Sequence, residues 1–158
     1  MSHIRKKSIV GLEIGDTFSV SRTFSEQNVI QFAHISRDYN PIHCEERFSK
    51  VKNFNGLVCH GLLVASMVTE IGGQIGWLAS GMTFKFKKPV YIGDIIKCNF
   101  TITEMDDSGH AKAEAVFTNK NDITVLEAIL IGIIPGTQEK KVMKEMMDEG
   151  DPTNKISL

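Results

Sequence analysis

The hexapeptide DYNPIH at residues 38–43 interrupts a helical pattern with a turn and sets a carboxylate five positions from an imidazole. Because the residue before a proline is displaced from the α region, the Asn40–Pro41 step should end the preceding helix and reverse the chain. Asp38 and His43 would then face one space, as a candidate general base and a candidate general acid. A plain turn, in which Asp38 and Asn40 only bond to the backbone, explains the same residues from common turn chemistry.

Upstream of this turn the chain predicts a strand and then a helix. Phe18 and Val20 alternate with polar residues, which is typical of a half-buried strand, and Ser25 is a favourable helix N-cap. The predicted elements are a loose arm at 1–10, a strand within 12–23, a helix from Ser25 to about Asp38 and, after the turn, a short helix near 45–50.

Downstream, the chain predicts one long helix followed by a sheet. Residues 58–77 are apolar on almost every side of a helix, so this helix should be buried on most of its circumference. Four segments then alternate apolar and polar residues between turns, namely 82–89, 96–103, 111–117 and 125–134. Strands in this meander order imply an antiparallel sheet with one covered face.

The sequence therefore predicts an α+β domain at residues 1–136, in which an antiparallel sheet wraps around a long central α-helix. The remaining tail, residues 137–158, changes in character. It is predicted to hold a charged helix at 140–149 and a disordered end at 151–158.

The composition excludes several classes of protein. With 158 residues, 42% hydrophobic content and a net charge of −1, the chain can form one sizeable core and lacks the basic footprint of a nucleic-acid-binding protein. Its polar N-terminus has no apolar run of the kind that a signal peptide needs. The apolar stretch 57–79 contains Glu70, Gln74 and four glycines, which favours a buried helix over a membrane span. We therefore expect neither nucleic acid nor a membrane as a partner.

The three cysteines, Cys44, Cys59 and Cys98, are odd in number and form no CxxC pair. This pattern favours reduced thiols in a cytoplasmic protein. His43–Cys44 and Cys59–His60 offer zinc-ligand types in two adjacent pairs, but structural zinc sites normally separate the ligands of each half by about two to four residues. We therefore expect no metal and no cofactor.

Three stretches resemble one known family. SRDYNPIH at 36–43 resembles the hydratase motif of the MaoC-like dehydratases, and most closely that of the (R)-specific enoyl-CoA hydratases, also called hydratase 2. VCHGLLVAS at 58–66 is similar to the family's His-Gly-Met-Leu segment, and PVYIGD at 89–94 to its proline-then-Gly-Asp strand turn. The resemblance spans roughly residues 14–135, and it implies that 1–136 is a MaoC-like hotdog domain.

The resemblance also implies roles for particular residues. The implied site consists of the catalytic pair Asp38 and His43 and the substrate-binding residues Gly61, Asn40 and Thr69. Gly61 matches the residue whose backbone N–H binds the thioester carbonyl, and Thr69 falls where the family often has a serine. Arg37 replaces a glycine or acidic residue of the family's pattern, which is a minor departure. His60 is expected to be a structural histidine, because its neighbour Gly61 has the motif role.

The implied activity is (R)-specific hydration of trans-2-enoyl-CoA to (R)-3-hydroxyacyl-CoA, or the reverse dehydration. This reaction needs proton transfers to and from one water, for which Asp38 and His43 are suited. It also needs a donor to the enolate oxygen, and the N–H of Gly61 lies at a predicted helix start, where N–H groups are unpaired and the dipole is positive.

Three alternatives to this activity remain open. A 3-hydroxyacyl-ACP dehydratase would run the same chemistry on another carrier, so the partner is an acyl-CoA or acyl-ACP thioester. A hotdog thioesterase would need a carboxylate directed at C1, and a non-catalytic acyl-CoA-binding protein would not need Asp38 and His43.

One sheet around one helix leaves an edge strand to cover, and the family pattern is a dimer with sheets joined edge to edge. We therefore expect a homodimer or a higher homo-oligomer.

Overall fold

The computed structural model describes residues 3–151 and residue 153. Its helices are α1 (His3–Val10), α2 (Glu26–Ser36), α3 (Glu46–Val51), α4 (Gly61–Ala65), α5 (Met67–Ile75) and α6 (Thr137–Asp148), with a 3₁₀ turn at Pro41–His43. Its strands are β1 (Thr17–Thr23), β2 (Leu78–Phe86), β3 (Ile95–Met105), β4 (His110–Asn119) and β5 (Thr124–Ile133).

The strands form one antiparallel sheet in the order β1-β3-β4-β5-β2. Its inner face is apolar because the predicted alternation puts every second residue of β3 and β4 toward the core. The core residues with no exposed surface include Ile96, Phe100, Ile102 and Phe117 from the sheet and Met67, Ile71 and Ile75 from α5. A sheet packed in this way on a central helical segment is the predicted hotdog fold.

The predicted meander order is wrong for β2. Strands β3, β4 and β5 are consecutive neighbours, but β2 pairs with β5 at one edge of the sheet and β1 pairs with β3 at the other. Alternation along a strand specifies its two faces but not its partners. Residues 87–94 carry the chain from one edge to the interior of the sheet, and on the way the Cys59 N–H donates to the Val90 carbonyl at 2.7 Å.

The predicted long helix at 58–77 is two shorter helices that meet at Ser66. The Ser66 N–H donates to the carbonyls of Leu62 and Leu63, at 3.0 and 3.3 Å, and its hydroxyl donates to the Leu63 carbonyl at 2.6 Å. Serine side chains compete with the helix backbone in this way, and the local tightening ends α4. Residues 58–60 are not helical, so the first helix begins at Gly61.

The helical segment is buried on most of its circumference, as predicted, but one side of it is exposed in the single chain. Leu62 is 59% exposed, and Thr69 and Gly73 continue an exposed stripe at helical spacing. Within the described part of the chain, no helix has both the length and the apolar character that crossing a membrane requires.

Residues 3–10 form a helix rather than the predicted loose arm. Ile4 and Ser8 have no exposed surface, and the Ser8 hydroxyl donates to the Ile75 carbonyl at 2.6 Å. The Arg5 guanidinium donates to the carbonyls of Gly73 and Gln74, each at 3.0 Å. Carbonyls at a helix C-terminus have no intrahelical partner, and this need for donors is invisible in the hydrophobic pattern.

The C-terminal segment packs on the same end of α5. The predicted tail helix at 140–149 is present as α6 over residues 137–148, and its Met143 is buried against Gly76. Of the predicted disordered end, Asp151 and Thr153 bond to the Arg5 guanidinium; residue 152 and residues 154–158 lie outside the described part. The division of the chain at residue 136 stays a prediction.

Candidate active site

The Asn-Pro turn forms as its sequence predicts. Helix α2 ends at Ser36, and Arg37 follows it in the left-handed region with φ 60°. The Asp38 Oδ1 accepts from the Asn40 N–H and the Asn40 Oδ1 accepts from the Ile42 N–H, both at 3.2 Å. These side-chain turns hold the loop in shape, and they leave the Asp38 Oδ2 free to face another group.

The turn brings the two candidate catalytic residues together. The His43 Nε2 lies 3.7 Å from the Asp38 Oδ2. The His43 Nδ1 lies 2.6 Å from the Val58 carbonyl oxygen, which can only accept, so Nδ1 carries a proton, and in the neutral ring Nε2 presents a lone pair. The imidazole is 11% exposed and the carboxylate 47% exposed. Two hydrogen-bond acceptors therefore face each other across a gap too wide for a direct bond.

His60 lies against both of these residues. Its side chain is 1% exposed, its Nε2 is 3.0 Å from the Asp38 carbonyl oxygen, and its ring stacks on the His43 ring with 3.8 Å between centroids. The Phe32 ring of α2 packs against the His60 imidazole, with 5.1 Å between the two ring centroids. Burial, together with the nearby His43, holds the pKa of His60 below its ordinary value. The sequence predicted a structural histidine but not its contacts with Asp38 and His43. The one sequence feature that points to them is the position of His60 directly before Gly61.

Gly61 is the first residue of α4, where N–H groups have no intrahelical acceptor. A Cβ at this position would lie 2.6 Å from the Phe86 ring, so a glycine is needed for Phe86 to pack where it does. The helix has only five residues, so the dipole expected of a long helix is weaker here. The N–H group itself is what this position offers to a ligand.

Two cavities meet at His43. The larger, of about 470 Å³, is lined by His43, Gly61, Phe86, Lys87 and Lys88 together with apolar residues. The smaller, of about 190 Å³, is lined by Asp38, Tyr39, Asn40 and His43 and by the apolar face of α2. The site is therefore mostly apolar with a few convergent polar groups, as ligand sites commonly are.

The structure does not bring Thr69 to this place. Its hydroxyl donates back to the Ser66 carbonyl at 2.6 Å, and its side chain lines a third cavity between α5 and β2 that also includes Gly73 and Met82. Asn40 does lie at the site, but the contact it shows is the turn described above. Substrate binding by Thr69 and Asn40 stays a prediction.

The cluster combines residue types that can bind a metal ion. Ligand atoms of Asp38, His43 and His60 lie within 4.8 Å of one another. A ring nitrogen directs its lone pair in the plane of its ring, and the planes of the two stacked imidazoles are only 27° apart. Such rings direct their lone pairs side by side rather than at one ion about 2.0–2.1 Å from each nitrogen. Burial raises the pKa of the nearby Cys59 thiol to about 12, so at neutral pH the free side chain is a thiol rather than a thiolate.

Comparison with known proteins assigns this fold and site to a family. Residues 12–124 match the MaoC-like domain. An (R)-specific enoyl-CoA hydratase of Aeromonas caviae is 31% identical over 102 residues, covering 62% of this chain and 76% of the relative. A mitochondrial 3-hydroxyacyl-[acyl-carrier-protein] dehydratase of Arabidopsis thaliana is 28% identical over 130 residues, covering 78% of each protein.

A solved structure agrees with these relatives. The (R)-hydratase from A. caviae involved in PHA biosynthesis superposes with a TM-score of 0.74 at 26% identity, covering 78% of this chain and 98% of that one. The chain belongs to the MaoC-like family. It is an enzyme of the hydratase and dehydratase kind, a hydro-lyase.

Proposed function

We propose that the chain catalyses (R)-specific hydration of a trans-2-enoyl-CoA to the (R)-3-hydroxyacyl-CoA, and the reverse dehydration. The observation that supports this most directly is the pair of facing acceptors, the His43 Nε2 and the Asp38 Oδ2, 3.7 Å apart. The (R) configuration and the enoyl-CoA substrate are those named for the A. caviae relative.

The gap between the two acceptors has the size of one bound water. A water oxygen about 2.8 Å from each acceptor would complete a triangle on the 3.7 Å base. Because both acceptors present lone pairs, the water would donate one proton to each of them. Its own lone pairs would then be directed away from the pair, toward a substrate carbon.

The proton transfers follow from the basicity of the two groups. A neutral imidazole is a stronger base than a carboxylate, so the His43 Nε2 takes a proton from the water while the hydroxyl bonds to C3. The C2–C3 π electrons form the C1–C2 double bond of an enolate, and the carbonyl π electrons move onto the thioester oxygen, where the Gly61 N–H stabilises the charge. The imidazolium, stabilised by the Asp38 carboxylate, then returns the proton to C2. Both additions come from the same side of the substrate.

The chain supplies these steps with its own side chains and backbone, so we propose that no metal or cofactor takes part. The larger cavity connects the site to Lys87 and Lys88, and it is where the pantetheine arm of the thioester would enter. Free cysteines at 44, 59 and 98 support the proposed cytoplasmic, reducing location.

The second candidate function is 3-hydroxyacyl-ACP dehydration, which the A. thaliana relative favours. The chemistry at Asp38 and His43 would be identical, and only the carrier would differ. Paired assays on crotonyl-CoA and crotonyl-ACP would decide between the two by their kcat/KM values.

We also propose that two copies of the chain pair at β2. Every residue of this edge strand is at least partly exposed, and the third cavity opens between β2 and the exposed stripe of α5. An unpaired edge beside apolar surface is a liability that a second copy would remove.

The test is hydration of crotonyl-CoA, followed as the loss of enoyl-thioester absorbance, with chiral analysis of the product. Asp38→Asn and His43→Ala should each lower kcat by about 10²–10⁴-fold, because each removes one of the two groups that hold and deprotonate the water. The matched controls are Asp106→Asn and His110→Ala, a second Asp and His pair with 3.6 Å between the His110 Nδ1 and the Asp106 Oδ2, in an exposed hairpin.

The controls should retain full activity and the wild-type product should be the (R) isomer. Wild-type protein that is inert toward enoyl-CoA and enoyl-ACP of several chain lengths would refute both candidate functions. Unchanged kcat in both site variants would refute the roles of Asp38 and His43 while leaving the reaction intact.

A further inference from the structure

His60 contacts both members of the candidate catalytic pair from the side opposite to solvent. It is 1% exposed, so it cannot meet a substrate in the way that the 47% exposed Asp38 carboxylate can. We infer that His60 is a positioning residue, which fixes the Asp38 main chain and the His43 ring relative to each other. This inference rests on the function proposed above, although its first test does not require activity.

The contact with Asp38 runs through the backbone. A carbonyl oxygen only accepts, so the His60 Nε2, 3.0 Å from the Asp38 oxygen, carries the proton of that ring. Asp38 is held a second time by the bond from the Asn40 N–H to its Oδ1. With its main chain and one carboxylate oxygen fixed, the Oδ2 has little freedom to leave the 3.7 Å position opposite His43.

The contact with His43 runs through the ring face. The bond from the His43 Nδ1 to the Val58 carbonyl restrains that ring in its own plane. Stacking on His60, with 3.8 Å between centroids and 27° between planes, restrains it perpendicular to that plane. Phe32 supports the His60 ring in turn. The two restraints together orient the His43 Nε2 toward the carboxylate.

His60 can hold this position because it stays neutral. Its Nδ1 has no hydrogen-bond partner among the described residues, so a proton there would be buried without an acceptor, at a cost that favours the neutral ring. The titratable groups that face it are His43, from the 3₁₀ turn, and Asp38, from the loop after α2. A second positive charge beside the His43 imidazolium would oppose the proton transfer proposed above.

The first test uses wild-type protein and long-range ¹H–¹⁵N correlation of the histidine rings. We expect His60 to show a single neutral tautomer, with the proton on Nε2, from about pH 5.5 to 8, the range in which histidines ordinarily titrate. A proton on Nδ1, or a charged ring within this range, would overturn the inference whether or not the chain is a hydratase.

The second test separates positioning from packing with three variants. His60→Phe keeps a ring but removes the N–H donor to Asp38. His60→Gln keeps an N–H donor at a similar reach and removes the ring. Phe32→Leu is the matched control, because it loosens the packing around His60 and keeps both the N–H donor to Asp38 and the ring against His43.

For His60→Phe we expect kcat to fall about 10- to 100-fold with KM changed less than about threefold, since a misplacement near 1 Å has a cost of this size. The His43 ring resonances should shift in the same variant. His60→Gln should recover part of the lost kcat, and Phe32→Leu should lower Tm with little change in kcat or in the His43 resonances.

Losses of kcat that follow Tm equally in all three variants would show that His60 is only a packing residue. Unchanged His43 resonances in His60→Phe would also overturn the inference. Wild-type protein without activity on any enoyl thioester would instead refute the proposed function, and the resonances would still decide the role of His60.

Discussion

The imidazole of His60 should make the fold sensitive to acid. Its pKa is lowered in the folded chain by burial, while an unfolded histidine titrates near 6.5. Below about pH 6.5 the unfolded chain therefore binds a proton that the folded chain does not. The contribution to stability is complete above about pH 6.5 and is lost as the pH falls toward the folded pKa, by at most about 1.4 kcal/mol per pH unit.

This prediction is checked by urea unfolding at about pH 7.5 and pH 5.5. The wild type should lose more stability between the two pH values than His60→Gln, which has no titrating ring. His34→Gln, the replacement of an exposed histidine, is the matched control and should behave as the wild type. An equal loss in the wild type and His60→Gln would contradict the prediction.

The three cysteines should differ sharply in reactivity. Burial raises the pKa of both Cys59 and Cys98 to about 12, so almost none of either thiol is thiolate at neutral pH, whereas Cys44 is exposed. Since the thiolate is the nucleophile, native protein should take up one equivalent of maleimide, and Cys44→Ser should take up none. Mass spectrometry after brief labelling measures this. A second equivalent on native protein would contradict it.

At the scale of residues, the sequence could predict what local chemistry decides. The turn around Asn40 and Pro41 follows from the allowed conformations of those residues, and it brings the backbones of Asp38 and His43 close together within one short segment. The contact between His60 and the Asp38 carbonyl joins residues 22 positions apart. It depends on where α4 begins in space, and no pattern within either segment specifies that.

At the scale of elements, α1 and the carbonyl end of α5 form one structural unit. Arg5→Met removes the donors to the carbonyls of Gly73 and Gln74. Losing these bonds, of which the one to Gln74 is buried and the one to Gly73 is partly buried, should lower the free energy of unfolding by about 1–3 kcal/mol. The site lies at the other end of the helical segment, near Gly61, so kcat should change less than about twofold.

Urea unfolding and the crotonyl-CoA assay together measure this effect. Lys7→Met on the same helix is the matched control. Lys7 pairs at the surface with Glu13 and Asp16, and such pairs contribute about 0–1 kcal/mol. A loss of stability no larger in Arg5→Met than in Lys7→Met would show that the guanidinium does not hold the helix end.

The hydrophobic pattern predicts some features of the helices and strands and not others. The faces of β3 and β4 were predicted correctly because a half-buried strand must alternate. The position of β2 in the strand order was predicted wrongly, because alternation carries no information on which strand is its neighbour. Helix α1 was missed because polar bonds from Arg5 and Ser8 help to hold it beside the single buried apolar residue Ile4, and the mean hydropathy of such a segment does not distinguish it from a loose arm.

In the molecule as a whole, β2 is one of the two edge strands of the described sheet, and it is exposed along its length. Leu78 is 69% exposed and Met82 41% exposed on this strand, next to the third cavity. The matched family segment, residues 12–124, ends just inside β5, so α6 and the packing of α1 are features that the family match does not include. Both helices pack at the C-terminal end of α5, and β2 remains exposed.

If two copies pair at this edge, light scattering after size-exclusion chromatography should give twice the 17.6 kDa mass of one chain. Met82→Glu should shift the protein toward the single-chain mass, because it places two like charges close together across a symmetric interface. Ile35→Glu is the matched control, since Ile35 is 82% exposed on α2, away from the edge. A circular dichroism spectrum would establish that each variant is folded. A wild type of single-chain mass at about 100 µM would refute the pairing. Equal dissociation by both variants would place the interface elsewhere, and the exposed stripe of α4 and α5 would then be the next surface to change.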